Sequence, residues 1–228
     1  MGTQAPMEAE DPYTATYREY VAAIYELSEE GLAPIRARIA DWLGVSRASV
    51  SEMIRKMQTD GLVEKGTEIA LTPKGRHLAE VVVRRHRLAE RFLTEVLGLP
   101  WVKVHAEAEV WELAISDDVE AAMLQKLGQP TTCPHGNPIP GAGYRQPQLQ
   151  QMSELGPEAR FLHRVSEELE LDNEIMGFLD DSGLRPGARV ELVARTPDGT
   201  LTVAVHDGDR VGVSPFIAER LFLADSPV

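Results

Sequence analysis

Apolar residues recur at helical spacing three times near the start of the chain, and two short apolar runs follow. The first predicted helix ends near Gly31, and its apolar stripe is Tyr17, Tyr20, Val21, Ile24 and Leu27. A second helix is predicted at about 35–43, and Ser46 can cap a third whose buried stripe is Val50, Ile54 and Met57. The runs at 61–64 and 69–71 predict a hairpin. This order is typical of a winged helix-turn-helix domain.

The middle of the chain continues the helical pattern. A long helix is predicted from about 76 to 97, followed by helices at 104–114 and 117–127, the last of them capped by Ser116. Their apolar residues exceed what a small bundle buries, notably Trp111, Leu113, Ile115, Val119 and Met123. The surplus predicts a two-fold dimer interface.

The last part of the chain changes to a strand pattern. Six prolines between 128 and 158 predict a semi-rigid tether. Alternating segments at 161–165, 189–195, 201–206 and 210–213 then predict a small SH3-like β-barrel. The predicted fold class is mainly α with small β parts. We expect a disordered leader (1–12), a winged helix (13–75), a helical metal-binding and dimerisation domain (76–141), a Pro-rich linker (142–158) and an SH3-like domain (159–228).

Composition limits the compartment and the partners. No apolar run reaches the ~18 residues that span a bilayer, and the start of the chain, with Glu8, Glu10 and Asp11, lacks the pattern of a secretory signal. The single cysteine, Cys133, agrees with a reducing compartment. We therefore expect a cytoplasmic protein without a membrane partner.

Charge is distributed unevenly. The chain carries −13 overall, yet residues 32–76 carry +3 and the remainder −16. Ordinary solvated helix faces would give the same distribution of charged residues, and a winged helix need not bind DNA. However, small and basic residues at the start of the third helix suit a DNA groove. Double-stranded DNA is the expected partner, and the candidate contacts are Arg36, Arg38, Ser46, Arg47, Ala48, Ser49, Ser51, Glu52 and Arg55.

Residue types that commonly bind metal ions come directly after the predicted winged helix in the sequence. His86 and Glu90 are one helical turn apart, and His105, Glu109 and Glu112 fall at i, i+4, i+7 on a later helix. Imidazole with carboxylate suits a divalent ion. The alternative is that His86 and Glu90 form only a helix-supporting pair worth ~0.3 kcal/mol. Cys133 and His135 lie in a Pro/Gly-rich stretch and are interpreted as ordinary loop residues.

Several motifs together resemble one known family, the diphtheria toxin repressor family of iron- and manganese-dependent transcriptional repressors. The motifs are Arg36-Ala37-Arg38-Ile39-Ala40, Arg85-His86-Arg87-Leu88-Ala89-Glu90-Arg91, Val104-His105, Glu107-Ala108-Glu109, Trp111-Glu112, Ser116-Asp117 and His135-Gly136-Asn137-Pro138-Ile139-Pro140-Gly141. The resemblance covers about residues 16–141 well and the rest loosely. It implies a dimeric, metal-activated repressor.

The resemblance also implies two metal sites. An ancillary-type site matches His86, Glu90 and His105, and the C-terminal ligands fall loosely on Asp172 and Glu174, with Glu170 nearby. A primary-type site matches Glu19, Glu109 and Glu112. Carboxylates at Glu19 and Glu109, where iron-type members have sulfur, resemble the manganese branch and favour Mn²⁺ or Fe²⁺.

One departure opens an alternative, because this chain has Leu113 where the family usually has a histidine. The main hypothesis is a Mn²⁺- or Fe²⁺-dependent repressor of metal homeostasis genes, acting as a homodimer on operator DNA without a small-molecule substrate. The alternative is a winged-helix regulator with structural or lost metal binding and constitutive DNA binding. A metalloenzyme would also gather these residue types, but it would leave the winged helix unexplained.

Overall fold

The computed structural model describes residues 13–206 and 208–227, and the side chain of Asp209 is outside the description. The predicted leader at 1–12 and the turn residue Asp207 therefore lie outside the described residues. The chain forms two compact units that meet in sequence between Glu80 and Val81. Each unit is described by itself.

The first unit is built on three helices: α1 (Ala15–Glu29), α2 (Arg36–Trp42) and α3 (Arg47–Thr59). The Oγ atom of Ser46 accepts a hydrogen bond from the Ser49 amide at 3.1 Å, so this residue caps α3 as predicted. Every predicted stripe residue of α3 is fully buried. The core is formed by Tyr20, Val21, Ile24, Leu27, Ile39, Ala40, Val50, Ile54, Met57, Leu62, Val63, Ile69 and Ala79.

The predicted hairpin is present as a minimal wing. Val63 and Leu71 form one antiparallel bridge, and the Glu64 amide donates to the Ala70 carbonyl at 2.8 Å. The segment between them is a turn region rather than two regular strands. At Gly75 a Cβ atom would lie 2.0 Å from the Leu62 carbonyl oxygen, so only glycine fits where the next helix passes the wing.

Helices α4 (Pro73–Glu95), α5 (Val104–Trp111) and α6 (Asp117–Lys126) follow, with a short 3₁₀ helix at Trp101–Lys103. Helix α4 contains the boundary between the units. In the second unit Arg84 and Arg85 of α4 donate to the buried carboxylate of Glu120, which fixes α6 against α4. The apolar contacts among these helices are made by Leu88, Ala89, Leu93, Val104, Ala108, Ile115, Met123 and Ile139.

The rest of the second unit is a six-stranded antiparallel sheet with the order β1-β6-β2-β3-β4-β5. The strands are β1 (Gln150–Gln151), β2 (Arg160–Val165), β3 (Arg189–Arg195), β4 (Leu201–Val205), β5 (Asp209–Val213) and β6 (Leu221–Ala224). Three helices, α7 (Glu167–Glu170), α8 (Asn173–Asp181) and α9 (Pro215–Ala218), interrupt the strands. The fold class is the predicted one, mainly helical with an SH3-like sheet.

The stretch predicted as a tether is largely packed. Gln150 and Gln151 pair with β6, and Met152 and Leu155 are fully buried in the core of the sheet. Residues 132–139 form a compact loop in which Thr132 bridges Pro138. The tether prediction is corrected for these two segments because proline restricts the backbone without preventing it from packing. The predicted boundaries of the four segments stay predictions.

No helix of the described ranges 13–206 and 208–227 is long and apolar enough to cross a membrane.

Candidate metal centre and DNA-binding surface

Helix α4 presents His86 and Glu90 on one buried face, as their spacing predicts. Nε2 of His86 lies 3.4 Å from Oε1 of Glu90 and 3.2 Å from Nδ1 of His105, which comes from α5. Nδ1 of His105 lies 3.4 Å from the same Glu90 oxygen. The three residues expected for the ancillary-type site are therefore brought together.

Helix α7 adds two buried carboxylates. Ser166 caps this short helix and directs Glu167 and Glu170 inward, where each is 3% exposed or less. Oε1 of Glu167 lies 3.8 Å from Nδ1 of His105, and Oε2 of Glu170 lies 3.4 Å from the same nitrogen. The C-terminal sheet region thus supplies oxygen donors to the cluster.

The loop at 132–139 adds a thiol and a third imidazole, both fully buried. Nδ1 of His135 lies 2.7 Å from Oε2 of Glu170, 3.3 Å from Oε1 of Glu90 and 3.8 Å from Sγ of Cys133. The His135 carbonyl accepts from the Val165 amide at 2.9 Å, which anchors the loop to β2. Gly136 permits this approach, since a Cβ atom there would lie 1.9 Å from the His163 carbonyl oxygen.

Neighbouring polar groups hold the carboxylates in place. The buried guanidinium of Arg87 donates to Oε2 of Glu167 at 3.0 Å. The side-chain amide of Asn137 donates to Oε1 of Glu170 at 2.6 Å. Each contact leaves the other oxygen of its carboxylate facing the histidines, which is how an outer layer orients metal ligands.

The pKa values reflect this crowding of charge. Burial by itself lowers the pKa of the His105 imidazole, but the carboxylates of Glu170 and Glu90, each 3.4 Å from its Nδ1, outweigh burial and raise it to about 10. Burial raises the pKa of Glu90, but the charges of His135 and His86 bring it well below its ordinary value. Burial, reinforced by the charge of Glu90, raises the pKa of the Cys133 thiol to about 12. Glu90 is thus set to hold a negative charge and His105 a positive charge when no ion is bound.

The donor set fits a divalent metal ion. Both carboxylate oxygens of Glu90 and Oε2 of Glu170 are buried and form no hydrogen bond, although nitrogen atoms lie close to them. Buried oxygens without hydrogen-bond partners are costly in a fold that binds nothing there. Imidazole nitrogens and carboxylate oxygens that converge without bonding well to each other are what Mn²⁺ or Fe²⁺ requires.

Two residues of the predicted primary-type site, Glu109 and Glu112, lie at the margin of this cluster. Glu112 is mostly buried and its Oε2 lies 2.8 Å from Nδ1 of His86, whereas Glu109 is exposed, with Oε1 3.9 Å from Nε2 of His105. Leu113 is 40% exposed. Glu19 is exposed on α1 in the first unit. These residues stay predicted ligands.

The loose match of the C-terminal ligands to Asp172 and Glu174 is corrected. Asp172 is exposed and its carboxylate caps α8 by accepting from the amides of Glu174 and Ile175. Glu174 is exposed in the first turn of that helix. The acidic residues that reach the cluster are Glu167 and Glu170, one helix earlier.

Sequence reasoning interpreted Cys133 and His135 as ordinary loop residues; they do lie in a loop, but the structure brings both side chains to the buried cluster, which that interpretation did not predict. Their signal was the short spacing Cys133-Pro134-His135 beside Gly136, which places both side chains on one turn. For Glu167 and Glu170 the signal was an i, i+3 acidic pair directly after Ser166, a helix start. Neither of these sequence signals shows which residues of other segments the fold places beside Cys133, His135, Glu167 and Glu170.

The DNA-binding candidates lie on the first unit and are mostly solvent-exposed. Arg36, Arg47 and Arg55 are exposed, and Ser51 is half-buried with its hydroxyl bonded to the Arg47 carbonyl at 2.9 Å. Glu52, which would repel phosphate, lies 3.2 Å from Nζ of Lys56. The remaining candidates, Arg38, Ser46, Ala48 and Ser49, are exposed as well. This surface suits a duplex groove.

A winged helix with an exposed basic third helix, carried on the same chain as a buried cluster of histidines and carboxylates, defines a class of metal-binding DNA regulators. Three family models match: the iron dependent repressor N-terminal DNA binding domain at 13–68, its metal binding and dimerisation domain at 72–141, and the FeoA domain at 162–225.

Relatives of known identity agree with the family models. The iron-dependent repressor IdeR of Mycobacterium bovis is 41% identical over 210 residues, covering 86% of this chain and 91% of IdeR. The diphtheria toxin repressor of Corynebacterium diphtheriae is 38% identical over 218 residues, covering 90% and 95%. A solved manganese-dependent transcriptional repressor complex with manganese has a TM-score of 0.81 at 32% identity, covering 92% and 100%.

The chain belongs to the iron-dependent repressor family, which includes the diphtheria toxin repressor. The predicted family resemblance is confirmed. Members of this family are metal-dependent transcriptional repressors and not enzymes, so the metalloenzyme hypothesis is set aside.

Proposed function

We propose that this protein is a Mn²⁺- or Fe²⁺-activated repressor that binds operator DNA as a homodimer and controls metal homeostasis genes. The observation that carries the proposal is the buried cluster around Glu90, whose carboxylate oxygens form no hydrogen bond while three imidazoles surround them. The same chain carries an exposed basic recognition helix. The metal dependence of the relatives supports the proposal.

Five residues are the proposed holders of one ion at this cluster: His86, Glu90, His105, Glu167 and Glu170. These residues come from three helices, α4, α5 and α7, and a bound divalent ion supplies the positive charge that their carboxylates otherwise take from ionised histidines. Predominantly oxygen and nitrogen donors favour Mn²⁺ or Fe²⁺ over softer ions. Glu19, Glu109 and Glu112 remain the proposed residues of a second, primary-type site.

Coupling between metal and DNA follows from where these ligands originate. Helix α4 carries His86 and Glu90, and its N-terminal part belongs to the unit that contains the wing. If ligation favours the DNA-binding conformation, operator binding must in turn raise metal affinity by the same factor. The exposed Arg47 and Arg55 are the proposed contacts to bases and phosphates.

Dimerisation is proposed through α5 and α6. Val110, Leu113 and Val119 are large apolar residues that are 67%, 40% and 47% exposed. The family model that matches residues 72–141, which include these three residues, describes a metal binding and dimerisation domain and supports this surface. A two-fold dimer presents two winged helices to a palindromic operator. Such a regulator acts in the cytoplasm, without a membrane partner or small-molecule substrate.

The second candidate function rests on Leu113. With no histidine at this position, the primary-type residues offer only carboxylates, and metal could be structural while DNA binding is constitutive. The two functions differ in one property, which is whether operator binding survives in chelator.

The decisive experiment measures binding of the protein to DNA from upstream of its own gene, with Mn²⁺, anaerobic Fe²⁺, Zn²⁺ or chelator. We expect binding to require Mn²⁺ or Fe²⁺, and to weaken at least tenfold in Glu90→Gln and in Glu109→Ala. Equal binding in chelator would establish the constitutive regulator instead.

A matched pair of variants tests the corrected ligands. Glu170→Gln and Glu174→Gln make the same chemical change four residues apart, one in the cluster and one on the surface. We expect the first to weaken Mn²⁺ binding and the second to leave it unchanged. The reverse result would restore the original sequence match.

A further inference from the structure

The buried cluster contains more donors than one ion can use. Eight side chains contribute, namely His86, Glu90, His105, Glu112, Cys133, His135, Glu167 and Glu170. All of them except Glu112 form three overlapping groups, and within each group the donor atoms lie within 4.8 Å of one another. An octahedral ion of the Mn²⁺ type takes about six ligands. A single ion therefore leaves part of the cluster without a role.

The donors separate into two ends. One end holds His86, His105 and Glu167, with Nε2 of His86 4.0 Å and Nδ1 of His105 3.8 Å from Oε1 of Glu167. The other end holds Cys133 and His135, with Sγ 3.8 Å from Nδ1. Each end has an imidazole and a donor that carries negative charge when it ligates.

Glu90 lies between the two ends. Its Oε1 is 3.4 Å from Nε2 of His86 and from Nδ1 of His105, and 3.3 Å from Nδ1 of His135. Both of its oxygens are buried without a hydrogen bond, as a carboxylate shared by two ions requires. Glu170 also reaches both ends, at 2.7 Å from His135 and 3.4 Å from His105.

Formal charge is consistent with two ions. Four carboxylates and a ligating thiolate carry five negative charges, Arg87 supplies one positive charge by its contact with Glu167, and two divalent ions bring the sum to zero. With a single ion, a neutral Cys133 thiol and a protonated His135 give the same sum, so the second ion is inferred from the geometry and not from the charge.

We propose that this cluster is a dinuclear metal centre in which Glu90 is shared between one ion held by His86, His105 and Glu167 and a second held by Cys133, His135 and Glu170. The inference rests on the proposed function and adds the number of ions and the role of Cys133. The thiolate makes the second position the softer of the two.

The test uses the full chain with Glu19→Ala and Glu109→Ala, which removes two of the three predicted primary-type ligands and keeps all eight side chains of the cluster, Glu112 included. Equilibrium dialysis against Mn²⁺ followed by metal analysis gives the ions per chain, and electron paramagnetic resonance reports whether neighbouring Mn²⁺ ions are magnetically coupled. We expect two ions per chain and a coupled signal. One ion per chain with an uncoupled signal would overturn the dinuclear centre.

Cys133→Ser in the same background keeps the size of the side chain and removes the sulfur. We expect it to retain one ion with the signal of isolated Mn²⁺, and Asp172→Asn, at an exposed carboxylate outside the cluster, to retain both ions. A Co²⁺ titration of the parent should show a sulfur-to-cobalt absorption band that Cys133→Ser lacks. A parent without this band, or a Cys133→Ser variant that still holds two coupled ions, would refute the second position.

Failure of the dinuclear centre is distinguishable from failure of the proposed function. A cluster that binds no Mn²⁺ at all, in a chain whose operator binding ignores chelator, would remove both. A single tightly bound ion with metal-dependent operator binding would remove only the dinuclear inference.

Discussion

The winged helix and the buried cluster of histidines and carboxylates place their polar side chains in opposite environments, one exposed to solvent and one buried. The DNA-binding candidates come from neighbouring positions of α2 and α3, and most of them are exposed. The metal cluster draws on α4, α5, the 132–139 loop and α7, and most of its side chains are buried. The DNA-binding candidates are in contact with water that a duplex would displace, whereas the side chains of the cluster are largely shielded from water.

The contrast determines how each region responds to change. Exposed charges on a helix contribute little to stability, so evolution or mutation can alter them and change only DNA binding. Buried ionic groups that depend on one another make every member of the cluster costly to replace. Perturbing the second unit should therefore change folding and metal binding together.

The largest expected effect is at the loop that delivers His135. Gly136→Ala places a Cβ atom 1.9 Å from the His163 carbonyl oxygen at a φ of +90°, so we expect a loss of about 3 kcal/mol or more in the free energy of unfolding and weaker Mn²⁺ binding. Gly128→Ala is the matched control, because its φ is +73° but a Cβ atom there meets nothing within 4 Å. Its expected cost is about 1 kcal/mol. Equal costs in chemical denaturation would contradict the close approach.

A smaller effect is expected at the ion pair between α4 and α6. Burial raises the pKa of Glu120, but hydrogen bonds from Arg85 and Arg84 bring it below its ordinary value. Glu120→Gln should cost about 2 kcal/mol at pH 7 in the metal-free protein, measured by chemical denaturation.

The same variant tests the sign of the pH dependence. A lowered carboxyl pKa stabilises the fold above the unfolded pKa and loses this contribution as the pH falls through the folded value. The difference between wild type and Glu120→Gln should therefore shrink when the pH is lowered from 7 to about 3. A difference that grows on acidification would show that Glu120 is not held in its charged form.

On the DNA-binding surface the expected effect is on affinity alone. Arg55→Ala removes an exposed cation from α3 and should weaken operator binding about tenfold while leaving Mn²⁺ binding unchanged. The slope of log affinity against log salt should fall by about one if Arg55 contacts phosphate. Lys126→Ala, an exposed cation at the end of α6, is the control and should change neither quantity.

The smallest expected effect is at the start of the recognition helix. Ser46→Ala removes the acceptor for the Ser49 amide and should cost about 1 kcal/mol in stability. Calorimetry of the full chain would place the loss in the transition of the first unit. A loss confined to the transition of the second unit would contradict the cap.

Sequence periodicity predicted the helices well because each stripe buries itself within its own unit. The residues of α3 that the pattern assigned to the core, Val50, Ile54 and Met57, are all fully buried. Ser46 and Ser116 cap the helices that they precede, since a cap depends only on residues two or three positions away. The hairpin was recognisable, although the wing has a single bridge instead of two regular strands.

Only part of the buried cluster could be predicted, because local spacing identifies residues that share one helix and not those that distant segments bring together. His86 with Glu90 shares one helical turn, and the i, i+4, i+7 pattern from His105 shares one helix face. The pairing of Cys133 and His135 with Glu170 depends on how a loop packs against β2, which no local pattern encodes. Matching the family's C-terminal ligands by residue type alone selected Asp172 and Glu174, but Asp172 caps α8 and Glu174 lies in its first turn, both at the surface.

The sequence by itself determined the winged helix, its basic exposed helix, the three residues at the centre of the cluster and the family, because these depend on local spacing and motif order. Only the tertiary structure decided which acidic residues complete the cluster, that the supposed tether packs against the sheet, and that Glu90 lies between two groups of donors. Burial arises from contacts between distant segments, and a carboxylate becomes a metal ligand only when folding removes its water and brings imidazoles to it.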